Sequence, residues 1–244
     1  MEIMRIIAER QVEAVYQPIV DVAQNETIGY EALARNPVMD VEEMFRNATH
    51  YGLTRNLDTL CMHTAIENAP NCKSLFVNIL PYTLIWLTVS DKLTRILDKT
   101  TVPIVFEIIE NEKMSYDLTE LLLAIEIIRS YGFQIAVDDI SQGFSRIQAI
   151  SILCPDFIKM DRQLAANNSR QYNAIKKSIV TLSKEIGSKI IAEGIETKTE
   201  YKNLYALGIN LFQGYYFAKP GQEYKADCSE AIGLLRTEHH HQNN

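Results

Sequence analysis

The chain has 244 residues, 47% of them hydrophobic and 23% charged, an ordinary globular composition with room for one large core or two smaller ones. Its net charge of −7 argues against a non-specific nucleic-acid binder, which needs a basic face, so neither DNA nor RNA is an expected partner. The longest apolar stretches, YTLIWLTV and LLLAIEII, are far too short to span a bilayer, and MEIMRIIAERQVEAVYQ lacks a signal-peptide core; a cytoplasmic protein with no membrane segment is expected.

Strand-like and helix-like segments alternate along the chain. The β-branched, apolar strand candidates are, in order, AVYQPIVDV, TIGYEALAR, SLFVNIL, PIVFEII, FQIAVDD, DFIKM, KIIAEG and NLFQGYYFA. Between most of them lie amphipathic stretches of helical length, including VEEMFRNATHYG, NLDTLCMHTAIENA, DLTELLLAIEIIRSYG and NAIKKSIVTLSKEIG. Gly132, Gly187 and Gly208 stand where a helix would end before the next strand. The first two strand candidates are joined by the short QNE turn and read as an antiparallel hairpin. Eight strands with crossover helices and no linker-like stretch predict an α/β fold, a single (β/α)8 TIM-like barrel over residues 1–236, with a polar tail at 237–244.

The cysteines and histidines narrow the chemistry. Cys61, Cys72, Cys154 and Cys228 show no CxxC spacing and read as free thiols in a reducing compartment. Only His50 and His63 lie inside the chain, both in helix-like segments, and the other three form HHH in the tail. Histidine triads and histidine-rich zinc sites are therefore not expected, and a hydrolytic metal would be held by oxygen, which favours magnesium or manganese.

Seven of the eight strand candidates end in a functional group: Glu31, Asn78, Glu107, Asp138 with Asp139, Lys159, Glu193 and Gln213. Each alone has a bland reading, Asn78 as a turn organiser, Glu107 as a solvated strand end, Lys159 as a surface cation. In a parallel barrel, however, the C-terminal strand ends converge on one mouth. Five carboxylates about one lysine would then require divalent cations. Two hard cations suit in-line attack on a phosphodiester, with Lys159 adding a point charge and Arg35 gripping a phosphate. The residues by themselves thus read as a divalent-metal phosphodiesterase or a related barrel enzyme. An enolase-like barrel with one metal and a lysine base is the rival, though it needs fewer acids than are present.

The motifs YQPIVD, YEALAR, FVNILP, FEIIENE, VDDISQG, FIKMD, AEGIET and QGYYFAKP, in this order, resemble those of the EAL family of cyclic di-GMP phosphodiesterases, over about Tyr16 to Pro220. The resemblance implies a barrel whose first strand is antiparallel, in keeping with the hairpin. It also implies hydrolysis of cyclic di-GMP to linear 5′-pGpG, using two ions of Mg2+ or Mn2+. By position, Glu31, Asn78, Glu107 and Asp138 look like ligands of one metal, and Asp138 like a bridge to a second held with Asp139 and Glu193. Lys159 looks like the lysine that orients the nucleophilic water, with Glu193 as a candidate base. Gln17, Leu33, Arg35, Glu196 and Gln213 match substrate-side positions, and Glu110 a glutamate that anchors the loop after the paired aspartates.

Departures fall mainly in that loop, which in the family couples the metal site to a homodimer interface. Ile140, Ser141 and Gln142 replace the usual Phe-Gly-Thr, Asn36 replaces an aromatic, and Ile109 replaces a threonine. Serine takes glycine conformations only at a cost, so a weakened second metal site is expected. The alternative reading is a catalytically weak or inactive member serving as a cyclic di-GMP receptor or protein-interaction module, but the carboxylates such receptors typically lose are all present.

Overall fold

A computed structural model describes residues 2–109, 116–138 and 144–221, the side chains of 144–148 excepted. The expectations for Glu110, Asp139, the 140–142 loop with its dimer interface, Cys228 and the 237–244 tail lie outside the described residues. The strands are β1 (Glu13–Asp21), β2 (Glu26–Arg35), β3 (Leu75–Ile79), β4 (Ile104–Ile108), β5 (Gln134–Val137), β6 (Phe157–Met160), β7 (Lys189–Ala192) and β8 (Leu211–Phe212). They follow one another in sequence order round a closed barrel. β1 runs antiparallel to β8, pairing Val20 with Phe212, whereas β3–β4, β5–β6, β6–β7 and β7–β8 are parallel. The expected barrel and its reversed first strand are both present.

The helices are α1 (Glu2–Ala8), α2 (Val41–His50), α3 (Thr54–Glu67), α4 (Pro81–Val89), α5 (Lys92–Leu97), α6 (Leu118–Ser130), α7 (Phe144–Leu153), α8 (Arg162–Ala166), α9 (Arg170–Ile186) and α10 (Lys198–Tyr205). The chain divides into two compact units, residues 1–16 with 31–135 and residues 17–30 with 136–244.

In the first unit, α1, α2 and α3 share a core of Ile3, Ile6, Val12, Met44, Ala48, Leu57 and Leu60. Asp40 starts α2 by accepting from Glu43 N–H at 2.7 Å. Asp117 starts α6 in the same way through Thr119 and Glu120 N–H, and these bonds hold its carboxyl below the usual range. The apolar stretch YTLIWLTV is α4, with Leu84, Ile85 and Leu87 buried. α1, absent from the sequence reading, is tied in by Ile3 and Ile6.

In the second unit, Ser169 caps α9 through Tyr172 N–H, and Gly187 closes it in the left-handed conformation (φ +78°). Thr197 and Glu200 form a reciprocal capping box on α10. Lys176 is buried on α9; its Nζ donates to Ala165 O at the end of α8, and burial lowers its pKa. The last strand is shorter than the expected NLFQGYYFA. Phe217 and Ala218 N–H both turn back to Gly214 O, at 3.0 Å, so the chain leaves the sheet there. At Gly214 the backbone runs against Ile195 so closely that a Cβ would lie 2.2 Å from Ile195 N and O.

Candidate active site

The first unit brings three of the expected metal ligands into its strands. Glu31 is buried on β2, Glu107 is fully buried on β4, and Asn78 on β3 is the direct cross-strand partner of Glu107. Asn78 Nδ2 donates to Glu31 Oε1 at 3.1 Å. Asn78 and Glu107 each stand one residue inside the end of their strand. Glu31 does not end its strand: β2 continues to Arg35, so Glu31, Leu33 and Arg35 fall on one face by the two-residue alternation. Leu33 is half-buried and Arg35 exposed, where its Nη1 donates to Ala34 O at 2.7 Å.

Arg35 also lines a hollow of about 590 Å3 formed by its own loop, residues 35–42. Asn36, which stands in place of an aromatic, organises that loop. Its Oδ1 accepts from Val38 and Met39 N–H at 2.9 Å, and its Nδ2 donates to Gln11 O at 2.6 Å. A second cavity of this unit, about 600 Å3, is lined by residues that include His63, Trp86, Lys92 and Arg95. None of the expected site residues lines it, so volume does not mark the chemistry here. His63 is half-buried on α3, and burial lowers its pKa. Burial likewise pushes the thiols of Cys61 and Cys72 up, to about 12 and about 11.

The second unit holds the cationic group of the candidate site. Lys159 is 1% exposed on β6, with Nζ 2.7 Å from Glu193 Oε1 and 3.8 Å from Asp138 Oδ1. The first distance is a charge-assisted hydrogen bond and the second an ion pair without one. Asp138 and Glu193 immediately follow β5 and β7, and Glu193 N–H donates to Met160 O, which fixes the chain end beside Lys159. Two carboxylates about a buried ammonium keep its desolvation tolerable.

Gln213, directly after β8, donates through Nε2 to Gln17 Oε1 at 3.2 Å, and Gln17 Nε2 donates to Ala218 O at 3.0 Å. This amide chain orients both side chains. Glu196 is half-exposed and gripped by Arg162 through both guanidinium ends, one at 2.6 Å, so its charge is partly committed to that partner. Sequence reading missed Arg162. It follows the strand-ending FIKMD, and nothing local marks a partner that sits beyond the next strand.

Among the described residues no three His, Cys, Asp or Glu side chains group to hold a metal ion. The expected set includes the amide of Asn78 and also Asp139, which is not described. Its chemistry is uniform even so. Glu31, Asn78, Glu107, Asp138 and Glu193 present only carboxylate or amide oxygens, and that donor set fits a hard divalent cation.

The chain resembles known proteins in sequence and in fold. The family model described as "EAL domain" matches residues 2–220. The probable cyclic di-GMP phosphodiesterase PdeG of Escherichia coli (strain K12) is 27% identical over 88% of the chain, which spans 46% of that relative's length. Among solved structures, an EAL domain protein of Listeria monocytogenes EGD-e superposes with a TM-score of 0.80 at 26% identity, covering 91% of this chain and 93% of that one. Klebsiella pneumoniae BlrP1, in a manganese and cyclic di-GMP complex, superposes with a TM-score of 0.76 at 27% identity, covering 86% of this chain and 56% of that one.

Proposed function

The chain belongs to the EAL domain family, and from that premise we propose that it is a divalent-metal phosphodiesterase hydrolysing cyclic di-GMP to linear 5′-pGpG. The observation that carries this reading is Lys159, buried and bonded to Glu193 with Asp138 beside it. A buried ammonium held between two acids at strand ends serves little structural purpose, and apolar side chains of similar volume would cost less to bury. It suits a water that must be oriented and deprotonated at neutral pH.

In this reading Glu31, Asn78, Glu107, Asp138, Asp139 and Glu193 would hold Mg2+ or Mn2+, which when bound would neutralise charge on the phosphate and acidify water. The protein's own groups do the rest. Lys159 Nζ would donate to the attacking water and fix its direction, and Glu193, already accepting from Lys159, would take its proton. As the new P–O bond forms the P–O3′ bond breaks, the leaving 3′-oxygen taking a proton from solvent. Arg35, exposed at the end of β2, grips the non-scissile phosphate, and Leu33, on the same strand face, packs against the substrate. Gln17 and Gln213, locked to each other, present fixed amides to the far side of the dinucleotide. Glu196 reaches substrate only where it can also satisfy Arg162. The manganese and cyclic di-GMP bound by BlrP1 support the choice of metal and substrate.

The test is direct. Purified protein is incubated with cyclic di-GMP and Mg2+ or Mn2+, and the products are separated by chromatography. A pGpG peak that chelator abolishes is the expected result. Binding of cyclic di-GMP with no turnover at any metal concentration would instead identify a receptor.

A further inference from the structure

Helix α4 begins without a cap of its own. Its N-cap residue is Leu80, no side chain of its own first turn accepts a hydrogen bond there, and Pro81 follows. Asp58 on α3 supplies the missing acceptor: its Oδ2 takes the Leu80 N–H at 3.1 Å, and the residue is 3% exposed. Thr83 and Leu84 N–H both donate to Leu80 O at 3.0 Å, so the Leu80 residue is held from both ends. The Thr83 hydroxyl is buried beside the Asp58 carboxyl.

A carboxyl here is costly. Asp58 is buried on α3, as Leu57, Leu60 and Met62 are, and burial pushes its pKa up to about 7, against the opposing pull of the Thr83 hydroxyl and the Leu80 N–H. An apolar residue would pack this face at lower cost. What the carboxyl gains is a grip on one peptide: Leu80 directly follows β3 and lies two residues after Asn78, whose amide engages Glu31.

We propose that Asp58 is a positioning residue for the metal centre, holding the end of β3 through the Leu80 N–H so that Asn78 stays beside Glu31. The inference rests on the metal-binding reading above, in which Asn78 and Glu31 are ligands. Asp58 itself touches neither metal nor substrate.

The experiment titrates the whole chain with Mn2+ alone, by calorimetry, with no substrate present. Asp58→Val is of comparable, slightly larger size and removes the acceptor; Asp58→Asn keeps an acceptor oxygen. The Val variant should bind Mn2+ about 10-fold more weakly, the scale expected when a group supporting a metal ligand is lost. The Asn variant should bind as the parent does, and far-UV circular dichroism should match for all three. If Asp58→Val does not fold, Asp58→Ser, too short to reach Leu80, takes its place with the same expected loss.

Unchanged Mn2+ affinity in the acceptor-less variant overturns the proposal, because a merely structural aspartate would alter stability and not the affinity of folded protein. So does an Asn variant as weak as the Val one, or a parent chain that binds no Mn2+. A parent that binds Mn2+ and shows the Val–Asn split but fails to hydrolyse cyclic di-GMP sinks the phosphodiesterase reading and leaves this one standing.

Discussion

At the scale of single residues, Lys159 and Asp58 show two uses of a buried ionisable group. Lys159 is compensated, 2.7 Å from Glu193, and is free to serve chemistry only through the atoms around it. Lys159→Met should lower kcat by about 10² to 10⁴, the usual worth of a positioned proton-handling group, with KM little changed. Steady-state kinetics at saturating Mn2+ check this, and near-parental turnover would remove Lys159 from the mechanism. Arg35→Ala should instead raise KM and leave kcat nearly intact, since an exposed arginine on a non-reacting phosphate contributes uniform binding.

Asp58 also makes stability depend on pH. Its folded pKa of about 7 lies above the ordinary 3.8, so the native state holds a proton that the unfolded chain releases. That contribution is complete below about pH 4 and is lost as pH rises to about 7, at roughly 1.4 kcal/mol per unit of displacement. Asp58→Asn cannot titrate. Its stability relative to the parent, from urea unfolding, should therefore be more favourable at pH 8 than at pH 5. An equal difference at both would mean the aspartate is charged throughout.

At the scale of elements, two glycines predict opposite outcomes. Gly187 closes α9 at φ +78° with nothing within 4 Å of a built Cβ, so Gly187→Ala should cost about 1–2 kcal/mol of conformational strain and leave activity alone. Gly214 is a packing glycine: a Cβ there meets Ile195 backbone atoms that cannot swing away. Ile195 lies between Glu193 and Glu196, so Gly214→Ala should both destabilise and depress kcat. Thermal unfolding beside kinetics separates the two cases. An active, merely less stable Gly214→Ala would show that the β7–α10 connection tolerates displacement.

At the scale of the whole molecule, the net charge of −7 would offer the proposed anionic dinucleotide no general attraction, so on the proposed reading its binding would rest on a few placed cations and the metal. Activity should require Mg2+ or Mn2+ and vanish in excess EDTA. Ca2+ should support binding with little turnover, because its longer and looser coordination misplaces the water. Full activity in EDTA would rule the mechanism out. Among the described residues no helix is long and apolar enough to cross a membrane.

What the sequence determined by itself is what local rules govern. Apolar, β-branched runs, helical periodicity and C-cap glycines mark all eight strands and the helix ends at Gly132, Gly187 and Gly208, and a histidine-free set of strand-end oxygens points to a hard divalent cation. Tertiary structure decided which of those groups meet. Asn78 donates to Glu31, Lys159 bonds Glu193 in preference to Asp138, Arg162 claims Glu196, and Asp58 caps a helix that begins 23 residues later. These pairings depend on the register between neighbouring strands and on side chains far apart along the chain, and local periodicity carries neither. The same reason shortened the last strand: Gly214 turns the chain because Ile195 is pressed against it, and that contact exists only once the strands have paired.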